Sequence, residues 1–104
     1  MYPGLTLEDK PRQYASRLDI EIEKFSINAG DVTPVYLQLA IQLQQGIEDG
    51  QFDCNKPLPS VYRCNRTLGL SRATVFRAYK YLNRSGMVQW KKGEGFFVQH
   101  KFKY

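Results

Sequence analysis

The 104-residue chain has one histidine, two cysteines and, beyond residue 53, a single acid. Each scarcity excludes something. His100, Cys54 and Cys64 cannot supply the four closely paired N/S ligands of structural zinc, so neither metal nor cofactor is expected. With nothing marking an oxidising compartment, the two thiols read as reduced cysteines of a cytoplasmic protein. No apolar run approaches the roughly 20 residues that span a bilayer. The start, Met1-Tyr2-Pro3-Gly4, lacks the basic-then-apolar layout of a secretory signal. His100 has no nucleophile motif or paired carboxylates to work with on the basic half, so the chain does not read as an enzyme.

What is present is charge, unevenly divided. Residues 1–53 carry four bases against nine acids, whereas residues 54–104 carry eleven bases against Glu94 alone. The net charge of +5 therefore hides an acidic half at −5 and a basic half at +10. Such an excess makes a strongly positive surface if the bases share a face, which points to a polyanion, first nucleic acid and second an anionic membrane. A solvated basic surface without a partner is the plain alternative, and patterning decides between them.

Residues 1–30 read as a leader. Pro3, Gly4 and Pro11 interrupt its first part, and Leu18-Asp19-Ile20-Glu21-Ile22-Glu23 alternates apolar and acidic residues, which predicts a half-buried strand near 18–27. Asn28 to Asp31 makes a turn. Thr33-Pro34 then predicts a helix start, with Thr33 as N-cap and Pro34 at the first helical position. Val35, Leu39, Leu43 and Ile47 form its apolar stripe, Gly50 ends it, and the opposite face of Gln38, Gln42 and Gln45 reads as solvated.

After a connector carrying Pro57 and Pro59, Ser60 caps a short helix over Val61 to Thr67, which Leu68-Gly69-Leu70 breaks. Ser71 caps a third helix, whose buried stripe is Val75, Ala78, Tyr79 and Leu82. Arg72, Phe76 and Lys80 share its outward stripe, with Ala73 and Arg77 on the flank. Gly86 ends it. Met87 to Trp90 and Phe96 to Gln99 are β-prone runs joined by Lys91-Lys92-Gly93-Glu94-Gly95, a hairpin with a basic tip.

Two helices joined by a Gly-containing turn, the second with a polar start, make a helix-turn-helix, and the hairpin adds a wing. The expected fold is α+β, mainly α: three helices, the wing and a short N-terminal strand, with residues 31–100 as the domain and 101–104 as a tail. In this motif the second helix of the pair enters the major groove and its first residues meet base edges. Those residues are Ser71, Arg72, Ala73 and Thr74. Ser71 either caps the helix or meets a phosphate, Arg72 has the fork for guanine or phosphate, and Thr74 offers a hydroxyl and a methyl. Lys91, Lys92 and Gly93 at the wing tip would meet the backbone beside the groove.

The chain resembles the winged helix-turn-helix of the GntR family of bacterial transcription regulators. The stretches that carry the likeness are Thr33-Pro34-Val35-Tyr36-Leu37-Gln38-Leu39, Leu58-Pro59-Ser60-Val61, Leu68 to Val75, Arg77-Ala78-Tyr79 and Gly93 to Val98. The YtrA-like branch is most similar, and MocR-type proteins with an aminotransferase-like domain are nearly as similar. The resemblance implies a homodimer reading a near-palindromic DNA operator, often controlled by a downstream effector domain. It implies DNA contacts from Ser60 and the start of the second helix, where Tyr62 stands in place of the family's usual Arg, with Arg63 beside it. Phe76 stands where many members have Arg. It would meet a thymine methyl or tuck under the wing, and the favourable burial of an aromatic ring argues for the second. Cys64, replacing a common leucine, reads as a small buried hydrophobe.

The chain stops at Tyr104, which reads as an excised head, mainly monomeric and a modest DNA binder. The other reading is a natural miniature that dimerises through residues 1–30. The rival of another class is a winged helix that binds protein, and steep salt dependence would mark DNA instead.

Overall fold

The computed structural model describes residues 22–99. Its elements are a single 3₁₀ turn at Ile22–Lys24, helix α1 (Val35–Glu48), helix α2 (Val61–Leu68), helix α3 (Arg72–Arg84), and strands β1 (Val88–Lys91) and β2 (Gly95–Val98). The three helices and the hairpin are those expected from the residue pattern.

Each boundary has a local cause. Ser60 Oγ accepts from Arg63 N at 3.0 Å and opens α2. Gly69, at φ +69°, closes α2 in the left-handed region, where a side chain would be strained although space is open around it. The Asn65 side-chain amide donates to the Leu70 carbonyl, which fixes the turn between the helices. Ser71 Oγ accepts from Thr74 N at 3.1 Å and opens α3. Gly50, at φ +72°, follows the end of α1.

Two expectations fail here. The N-cap of α1 is Pro34, not Thr33, with φ −57° and ψ 147° and no side-chain cap. Leu37 N and Gln38 N both donate to the Pro34 carbonyl at 3.0 Å, while the Thr33 carbonyl accepts instead from Gln38 Nε2 at 2.8 Å. The expected N-terminal strand is not found in its described part. Ile22–Lys24 is a 3₁₀ turn with Ile22 fully buried, and residues 25–28 have no regular structure. Residues 18–21 lie outside the described residues.

The physical reason is the glutamine face of α1, which is not merely solvated. Gln42 Oε1 accepts from Ser26 N at 2.8 Å while its Nε2 donates to Ser26 O at 2.9 Å. Gln38 does the same for Asn28, at 2.8 Å both ways. Two side-chain amides thus satisfy the backbone groups that a neighbouring strand would otherwise have to meet. Gln45 fits the sequence reading better, reaching only Asp49 at the exposed end of the helix.

The core lies between α1, α3 and the hairpin. Leu39, Ala40 and Leu43 of α1 and Val75, Ala78, Tyr79 and Leu82 of α3 are completely buried. Full burial of a Leu- or Val-sized side chain stabilises by about 1.5–3 kcal/mol, so these two facing stripes set the helix pairing. The strands pair antiparallel with Val88 opposite Val98 and Trp90 opposite Phe96. Lys91 pairs Gly95, one position beyond the expected strand ends, which leaves a three-residue tip of Lys92, Gly93 and Glu94. Leu58 N donates to Phe96 O at 2.8 Å and joins the connector to the wing.

Candidate nucleic-acid interface

The buried stripe of α3 fixes which residues face out. With Val75, Ala78, Tyr79 and Leu82 inward, Arg72, Phe76 and Lys80 stand exposed on one line and Ala73 and Arg77 beside it. At the helix start, Ser71 is committed as the cap, and its hydroxyl donates to Thr74 Oγ1 at 2.9 Å. Thr74 is half-buried, and its hydroxyl keeps a donor hydrogen for a further partner. The free N–H groups and dipole of this terminus favour an anion there.

Arg77, on the flank, forms no ion pair with an acid among the described residues. Its guanidinium carbon lies 4.1 Å from the Tyr36 ring centroid, and Tyr36 meets Tyr81 edge-on at 6.5 Å. Stacking holds the cation in a fixed position between α1 and α3. Phe76 leans on the wing without going under it: its ring is 6.4 Å from that of Phe96 and remains 48% exposed.

At the start of α2, Ser60 is exposed and spent on its cap. Tyr62 is 56% exposed, with its hydroxyl accepting from Arg66 Nη1 at 3.2 Å and the Arg66 guanidinium 5.6 Å from its ring centroid. Arg63, half a helix turn or less away, reaches Glu23 at 4.0 Å. On the wing, Lys91 Nζ lies 4.4 Å from the Phe97 ring centroid, and Lys92 and Gly93 form the exposed tip. Gly93 has φ +78°, which a side chain would resist.

One buried arrangement ties these pieces together. Tyr79, fully buried on α3, stacks on Phe96 of the wing and donates its hydroxyl to the Pro59 carbonyl just before α2. Beside it, burial pushes the Cys64 thiol from its ordinary 9.0 up to about 11, and burial also raises Tyr79 well above 10.0. Cys64 and Cys54 are both buried and not joined in a disulfide.

The order of elements, the capped start of α3 and the stitched wing form a winged helix-turn-helix. Residues 35–98 match the family described as bacterial regulatory proteins, gntR family. The chain belongs to the GntR family. Among GntR relatives, the HTH-type transcriptional repressor NagR of Bacillus subtilis is 36% identical over 73 residues, which are 70% of this chain and 30% of NagR. The chain thus spans under a third of that relative's length. YtrA from Sulfolobus acidocaldarius, a GntR-family transcription factor, superposes with a TM-score of 0.65 at 31% identity, covering 71% of this chain and 63% of YtrA. AraR(DBD), solved in complex with operator ORR3, superposes with a TM-score of 0.62 over 77% of this chain and 100% of its own. At 22% identity that last likeness is one of fold.

Sequence reasoning did not single out Trp90. Val88 and Trp90 point to the same face of β1, and Val88 is fully buried, so alternation predicts burial for both. Trp90 is instead 56% exposed, although its ring lies 4.9 Å from that of its buried cross-strand partner Phe96. Among the described residues no helix is long and apolar enough to cross a membrane, and no group of three His, Cys, Asp or Glu is arranged to hold a metal ion.

Proposed function

We propose that this chain is the DNA-binding domain of a cytoplasmic, non-enzymatic GntR-type transcription regulator, with residues 31–100 as the folded unit. Helix α3 lies in the major groove and the wing rests on the adjacent backbone or minor groove. The observation that carries this is the exposed line of Arg72, Phe76 and Lys80, held outward by a completely buried stripe behind it. Arg72 and Thr74 at the start of the helix meet base edges, and Arg77 meets the backbone from its stacked position on Tyr36. Lys91, Lys92 and the Gly93 turn take phosphates from the wing, and the start of α2 approaches the strand opposite with Ser60, Tyr62 and Arg63.

One such head makes few phosphate contacts, so useful affinity comes from a homodimer on a near-palindromic operator. Control by a small effector belongs to other parts of such a regulator. The repressor role of NagR supports this assignment by kinship, and AraR(DBD), solved in complex with operator ORR3, supports it by likeness of fold alone.

The test is selection from a pool of random duplexes with the Arg72→Ala variant in parallel. A near-palindrome recovered by the wild type and lost by the variant is the expected result. The same motif in both would move the readout to Phe76, Arg77 or the wing. Failure to retain any duplex at low salt would refute DNA binding.

A further inference from the structure

A groove of about 530 Å³ opens beside the exposed line of α3, walled by Val61 and Tyr62 from α2, Phe76 from α3, and Trp90 and Phe96 from the wing. Its surface is mainly apolar. Three of its rings, Tyr62, Phe76 and Trp90, stay 48–56% exposed, although burying an aromatic ring is among the more favourable contacts a small domain can make. A contiguous exposed apolar patch of this kind marks a place where something binds.

Two observations define the occupant. Phe76 belongs both to the groove and to the outward line with Arg72 and Lys80, so whatever lies along that line meets the Phe76 ring. Cations outnumber acids around it: Lys80 Nζ is 5.6 Å from the Phe76 ring centroid, Arg66 is 5.6 Å from that of Tyr62, and Arg63, which also reaches Glu23, lines the groove together with one acid, Glu94. The occupant therefore presents an apolar group within a frame of negative charge. In duplex DNA the phosphates provide the frame, and the one apolar group on a major-groove base edge is the 5-methyl of thymine. We infer that Phe76, supported from behind by Phe96 and flanked by Trp90, reads a thymine methyl and so gives this head a preference for an A·T pair. The inference rests on the DNA-binding reading above.

The measurement compares an alternating dA·dT duplex of 20 base pairs with the same duplex carrying deoxyuridine in place of every thymine. The two have equal charge and differ only in methyl groups. Wild-type chain binds the uracil duplex more weakly, by about fourfold for each methyl read. Phe76→Ala binds both duplexes alike, while Phe76→Leu, which keeps an apolar side chain at the site, retains part of the preference and controls for folding. Trp90 is the sole tryptophan, so its emission shifts to shorter wavelength when the thymine duplex covers the groove.

Equal, salt-sensitive binding of both duplexes by the wild type would overturn methyl reading and leave DNA binding standing. A full thymine preference in Phe76→Ala would overturn it as well. A shift of Trp90 emission with protein concentration alone, insensitive to duplex, would assign the groove to a second copy of the chain and overturn the inference. Retention of neither duplex at low salt would remove the DNA-binding reading on which it depends.

Discussion

The Tyr79 ring lies flat on Phe96, with centroids 4.8 Å apart and planes 6° from parallel, and its hydroxyl donates to the Pro59 carbonyl. One side chain of α3 thereby holds the wing on one side and the start of α2 on the other. Tyr79→Phe keeps the stack and leaves a buried carbonyl without its donor. The expected loss is about 1–3 kcal/mol of folding stability, read from urea unfolding midpoints at constant slope. An unchanged midpoint would mean that the hydroxyl contributes nothing net.

The clamp of α1 on residues 26–28 predicts a local effect. In Gln42→Ala, Ser26 loses both of its side-chain partners while Asn28 keeps those from Gln38. The Ser26 amide should exchange with solvent faster while global stability falls by about 1 kcal/mol or less, since the site is exposed. Hydrogen exchange followed by NMR checks this, and unaltered Ser26 protection would contradict the clamp.

DNA contacts divide by what their removal does. Lys92→Ala should weaken binding to every duplex and lower the slope of log K against log salt by about 0.9, the signature of one lost phosphate contact. Arg72→Ala should cost about 1–3 kcal/mol and relax preference at one base pair. Fluorescence titrations at several salt concentrations separate the two. A sequence-independent loss in Arg72→Ala would make that residue another phosphate contact.

Alkaline solution tests the buried pair beside the hinge of the motif. Cys64 ionises at an ordinary 9.0 when exposed by unfolding and at about 11 in the folded chain. The unfolded state therefore gives up its proton first. Stability should hold below pH 9 and fall between pH 9 and about 11, by about 1.4 kcal/mol per unit at the steepest, with Tyr79 adding to the loss in the same direction. Denaturation at pH 8, 9.5 and 10.5 gives the slope, and Cys64→Val should flatten it. A flat profile in the wild type would show that the thiol titrates normally.

The helices, the turn at Gly69 and the wing were legible because caps, apolar periods and glycines at left-handed positions act locally. The outward line of Arg72, Phe76 and Lys80 followed from the inward one by helical geometry alone. What was not legible depends on contacts between distant segments. Nothing local says that Gln38 and Gln42 will fasten residues 26–28, or that Tyr36 rather than an acid will receive Arg77. Pro34 is the cap because its ψ of 147° is non-helical while its carbonyl takes the first helical N–H groups, and residue pattern does not give that angle. Trp90 escaped notice because alternation groups it with the buried Val88, and only the packed fold leaves it 56% exposed.

The bond from Leu58 N to Phe96 O has a consequence for recognition. With Tyr79 it ties wing and α2 start into one frame, so the span between α3 and the wing tip is set by the fold itself. On the DNA-binding reading proposed above, such a head acts as a gauge of fixed width. Any mismatch must be taken up by the DNA, and sequences that bend or change groove width cheaply will be favoured even at base pairs no side chain touches.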